Sequence, residues 1–163
     1  MSITEKGRNG WVIIASFVFA MILSVFALPL HIQMFMPEWT LLVLIYWCMA
    51  LPLRVGVGTA WIVGLFMDVL RDTLLGQYAL AFALIAFLTL HLHQRIRVVP
   101  VWQQSISIFI LTLISAVLVF WVKGIQGVAP DFISILSSPL ISALIWPAVF
   151  LLMRNLRRVY QVK

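Results

Sequence analysis

The chain has 163 residues, 64% of them hydrophobic and only 10% charged, with a mean hydropathy of +1.12. A soluble domain is nearer half apolar and a quarter charged, so that class is excluded and the lipid bilayer is the solvent. The formal charge of +6 does not point to nucleic acid, because Lys and Arg sit in short clusters between apolar runs.

The first ten residues are polar, with Glu5, Lys6 and Arg8. The first apolar run, 11–30, is long enough to cross a hydrocarbon core of about 30 Å. A signal peptide is the competing reading, with small-residue positions near Val25 and Ala27. Its apolar region is usually only about 7–15 residues, so a retained helix is preferred. A short connection through His31 follows, and then the second run, 39–53, and the third, 55–70. Each has room for only about 22–24 Å of helix. They read as a short hairpin about a turn that holds Pro52 and Arg54, with Arg54 reaching to the headgroups. A re-entrant pair sheltered by protein is the alternative.

Gly56, Ala60, Gly64 and Asp68 are spaced by four on the third run. On a helix this is a stripe of small residues ending in an acid, which suits close helix packing in lipid. Gly64→Leu is expected to disrupt that packing, and Asp68→Asn to be milder because water can reach the helix end. An acid at this depth is also a functional candidate, and with Asp72 it offers oxygen ligands for a hard cation. The plainer reading is an acidic helix end at the outer surface, partly paired by Arg71. With no second acidic cluster, the plainer reading is preferred, and no metal site is assigned. Tyr46 and Trp47 lie inside the second run, where they fill the core or line a groove for a partner helix, the first being preferred.

The fourth run is 78–92; His91 and His93 flank a basic cytoplasmic turn that holds Arg95 and Arg97, before Pro100. Two histidines two apart do not share a helix face, so they are read as interfacial. The fifth run is 101–122, and 123–131 is a loop. The sixth is 132–153, with Pro139 and Pro147 inside it. Ser134, Ser138 and Ser142 form a stripe suited to packing and backbone hydrogen bonding. Trp11, Trp39 and Trp102 fall at run ends, where indoles favour the interface. Cys48 is the single cysteine.

Six spans put both termini on one side. Lys6, Arg8, Arg54, Arg95, Arg97, Arg154, Arg157, Arg158 and Lys163 then share that side, against Arg71 and Lys123 on the other. Cytoplasmic loops carry the excess of Lys and Arg, so both termini are assigned to the cytoplasm. The expectation is one all-α integral membrane domain over 1–163, with six transmembrane helices. No nucleophile elbow, phosphate loop or cysteine cluster is present, so no enzyme and no cofactor is expected. An assembly partner or a transport component remains.

The residues resemble the rod shape-determining protein MreD family. The likeness is densest over 35–76: PEW at 37–39, YW at 46–47, ALPLRVGVGT at 50–59, and the Gly64/Asp68 pair. WQQ at 102–104, FW at 120–121, LIWP at 144–147 and FLLMR at 150–154 extend it. One departure is Met36, where other members carry arginine before Pro37, so a charged contact there is not carried over. The resemblance implies a non-enzymatic role in bacterial cell elongation, in the inner membrane. It implies MreC as the direct partner, in an assembly with MreB, RodZ, RodA and the elongation penicillin-binding transpeptidase. It makes Pro37, Trp39, Tyr46, Trp47, Arg54, Gly56, Ala60, Gly64 and Asp68 candidates for partner or helix packing. The implied fold is similar to the substrate-binding subunits of energy-coupling-factor transporters, which keeps a small-molecule-binding transport subunit as the alternative.

Overall fold

The computed structural model describes residues 9–26, 29–129 and 132–162. Apolar runs surrounded by lipid close their backbone hydrogen bonds within helices. Seven follow in order: α1 (Gly10–Val25), α2 (Leu30–Gln33), α3 (Trp39–Ala50), α4 (Val57–Leu70), α5 (Gln77–Val98), α6 (Val101–Ile125) and α7 (Phe132–Val159). No strand occurs among the described residues. The polar residues before Asn9, the possible cleavage position at Ala27, Asp131 and Lys163 lie outside the described residues.

The helix bounds differ from the apolar runs in two ways. The run 11–30 is not one helix: α1 ends at Val25, Phe26 turns to ψ 117°, and α2 is a separate turn after Pro29. Proline lacks an amide donor and disfavours helix in the residue before it. At the other extreme, α5 continues past His91 and His93 through Arg95 and Arg97 to Val98, so the two arginines are helical rather than in a turn. Arginine is a good helix former and its cationic head suits a helix C-terminus. Pro100 then stops α5 and caps α6 across a two-residue link. α7 likewise runs through Pro139 and Pro147 and carries Arg154, Arg157 and Arg158.

Three helices, α5, α6 and α7, are long and apolar enough to cross a membrane. α1, α3 and α4 are apolar but have only 16, 12 and 14 residues. The chain is a membrane protein, and helix length alone supports three crossings rather than six. Ile14, Phe19, Trp61, Phe66, Leu144 and Leu152 are all at least half exposed, an apolar exterior made for lipid.

The core is built on α3. Thr40 through Met49 are all buried, ten consecutive residues covering every face of the helix. A helix apolar all round belongs inside a bundle. α1, α5 and α7 enclose it. The Trp47 indole donates to Ser16 Oγ of α1 at 2.9 Å, which satisfies the one polar atom of a fully buried ring. Tyr46 meets Phe150 edge to face and Phe150 meets Trp146 at a tilt, and the Trp146 indole donates to Gln104 Oε1 at 3.2 Å.

The expected hairpin between the second and third runs is not the closest pairing. α4 packs chiefly on α5, and α6 on α7. α3 meets α4 through single side-chain contacts such as Thr40 Oγ1 to Met67 Sδ, 3.5 Å. Gly64 of α4 faces the start of α5, and the two backbones come together there.

Candidate functional site

The site lies where α4 ends, α5 begins and α3 begins. Asp68 is in the last turn of α4 and is fully buried. The first turn of any helix leaves amide donors unsatisfied. The residue at the α5 cap is Gly76, with φ +104°, and it has no side chain to serve them. Asp68 supplies the missing acceptor from the neighbouring helix. Its Oδ1 accepts from the Tyr78 amide at 2.7 Å and from Thr73 Oγ1 at 3.1 Å. Its Oδ2 accepts from the Gly76 amide at 2.8 Å and the Ala79 amide at 3.4 Å. The carboxylate also meets the positive end of the α5 dipole.

One turn earlier, Gly64 lies against the same part of α5. A Cβ placed on it would stand 2.6 Å from the Ala79 amide nitrogen and 2.7 Å from the Tyr78 carbonyl oxygen, closer still to Ala79 Cα. Only glycine permits this approach. Ala60 is buried one turn further back. Gly56 is the extended residue before α4, and a Cβ there would meet nothing within 4 Å. The stripe is thus a close contact at Gly64 and not at Gly56.

Arg71 follows α4 and does not pair with Asp68 or Asp72. Its two terminal nitrogens each lie 3.4 Å from an oxygen of Glu38, the residue before α3. Nη1 also donates to the Tyr78 hydroxyl at 2.6 Å, and the guanidinium lies 4.8 Å from that ring's centre. Burial works against the Arg71 charge, but the Glu38 carboxylate and Tyr78 outweigh it and hold the pKa above its ordinary value. The ion pair joins the start of α3 to the connection between α4 and α5. Asp72 is exposed, and no group of three metal-ligating side chains occurs among the described residues.

The segment before α3 is held by α7. Ser138 Oγ donates to the Met36 carbonyl at 3.0 Å, Ser137 Oγ to the Met34 carbonyl at 2.5 Å, and the Glu38 amide to Ser142 Oγ at 3.1 Å. The serine spacing pointed to backbone bonding for Ser138 and Ser142 but missed Ser137. Pro37 is buried within this segment and Trp39 is half-buried at the first position of α3.

Above these contacts opens a cavity of about 570 Å³. Glu38, Arg71, Tyr78, Ser115, Lys123 and Ser134 are among its polar walls. The polar lining was not legible in the sequence, because its members are spread along the chain from Ser24 to Ser138. Arg54 is far from this site, exposed in the turn between α3 and α4. Tyr46 and Trp47 are buried toward the other end of α3, so Trp47 presents no groove surface.

The family model described as rod shape-determining protein MreD matches residues 6–156. The rod shape-determining protein MreD of Haemophilus influenzae is 32% identical over 146 residues, which cover 90% of each chain. No solved structure matches. A match this long, carried through α1 to α7, means that the chain belongs to the rod shape-determining protein MreD family.

Proposed function

We propose that this protein is a non-enzymatic scaffold of the cell-elongation machinery, seated in the bacterial inner membrane. It binds MreC directly and holds MreB, RodZ, RodA and the elongation transpeptidase in one assembly. The observation that carries the reading is the family match over 6–156. A role in cell shape belongs to that family; the scaffold and its partners are the further step. The buried hydrogen bonds at the α3–α4–α5 junction support it, since their groups hold one helix to another. Trp39 and Arg54, which keep exposed surface, are the proposed partner contacts, while the buried Pro37, Ala60, Gly64 and Asp68 are proposed for helix packing within the chain. The test is depletion in a rod-shaped host, with complementation by this chain. Cells are expected to round and lyse on depletion, and MreC to co-purify with the complementing protein. Rod-shaped growth on depletion, or no MreC in the pull-down, overturns the proposal.

A small-molecule-binding transport subunit is the second reading. The cavity favours it, because convergent polar groups in a space of about 570 Å³ suit a vitamin-sized ligand. Arg71 and Glu38 are paired with one another there, which lowers their call on a ligand. Tight binding of such a ligand, with loss of its uptake on deletion, decides for this reading.

A further inference from the structure

A second pocket lies at the opposite end of the bundle, where α3, α5 and α7 end and α6 begins. Its volume is about 150 Å³. Arg97 of α5 and Arg154 and Arg157 of α7 line it, with Tyr46, Gln104, Met49, Ala50 and Phe150 as the remaining wall. Three arginines thus line one pocket, and no carboxylate among the described residues lines it. Like charges gathered at one site repel, and a bound anion removes that cost. The floor is fixed: the buried Tyr46 phenol faces Arg157. Buried Gln104 is held by the Trp146 indole and donates to the Val99 carbonyl at 3.3 Å. Arg157 Nε donates to the Val162 carbonyl at 3.3 Å, which orients that guanidinium.

Arginine is the side chain that matches phosphate oxygens with paired N–H donors. Basic pockets between membrane helices take anionic headgroups. We propose that this pocket binds the phosphate of an anionic membrane lipid, with Arg97, Arg154 and Arg157 as its ligands. The apolar wall selects a lipid over a free phosphate ion. Leu151 and Leu152, just before Arg154, are 52% and 66% exposed, so an acyl chain descending from the pocket meets apolar surface on α7.

The test uses the full chain purified in detergent, with native mass spectrometry to count bound phosphatidylglycerol against phosphatidylcholine. The wild-type protein is expected to retain phosphatidylglycerol preferentially. Arg97→Gln with Arg154→Gln is expected to weaken that binding about 10–30-fold, as two phosphate contacts imply. Arg95→Gln with Arg158→Gln removes the same charge from the same end outside the pocket, and is expected to change binding less than about twofold. Arg157 stays in both, because it also holds the chain end. Equal losses in the two double variants overturn the proposal in favour of diffuse charge. No preference for phosphatidylglycerol in the wild-type protein overturns it without any variant. Displacement of the lipid by inorganic phosphate at comparable concentration also overturns it, since the occupant is then the free ion.

Discussion

Asp68 works as the N-cap of a helix to which it does not belong. Its two oxygens receive three backbone amides and a hydroxyl with no solvent exposure. Asp68→Asn keeps the outline but turns an NH₂ toward amide donors. Charge-assisted bonds of this kind are worth about 1.5–3 kcal/mol, and thermal unfolding in detergent is expected to show a loss of that order. Unchanged unfolding would mean that a neutral acceptor suffices. The four-residue spacing singled out Asp68 but placed it at a wet helix end. Its partners lie five to eleven residues later, in the connection after α4 and the first turn of α5, and the cap residue Gly76 carries no side chain that signals the arrangement. Glu38 and Arg71 are 33 residues apart, beyond any local pattern. Because water does not reach Asp68, its substitution is closer in severity to that of Gly64 than a boundary acid would be.

At the scale of elements, the decisive contact is α4 on α5. Gly64→Leu pushes a side chain into the α5 backbone, and overpacking of this kind costs about 1–3 kcal/mol. Gly56→Ala is the matched control, because its Cβ enters open space and its backbone is extended. It is expected to shift stability by no more than about 0.5 kcal/mol. Comparing unfolding midpoints of the two variants at equal membrane yield settles the point; equal shifts would remove Gly64 from the contact. The apolar runs gave away six helices, since hydrophobicity is local information. Their ends were less legible, because arginine and histidine prolong α5 and α7 as readily as they close a span. The partner of α4 was not legible at all. A stripe of small residues states that something comes close and leaves open which neighbour it is.

For the whole molecule, the charge pattern still asks for a crossing count that helix length does not supply. Reporter fusions after Lys163 and within 123–131 are expected to read cytoplasm and periplasm respectively. The reverse pattern, or the same side for both, overturns the six-crossing arrangement. Three helices have the length to cross unaided. The shorter apolar helices α1, α3 and α4 depend on their neighbours, and α3 depends on them most. At 12 residues it extends about 18 Å, so neither end reaches the headgroups from the centre of the bilayer. Its terminal amides and carbonyls need protein around them. Yet α3 precedes two of its three walls in the chain, α5 and α7. During synthesis the future core leaves the ribosome before the shell that shelters it. Until α5 and α7 have been made, the ends of α3 have only α1 to cover them, so the core of the bundle closes last although its central helix is made early.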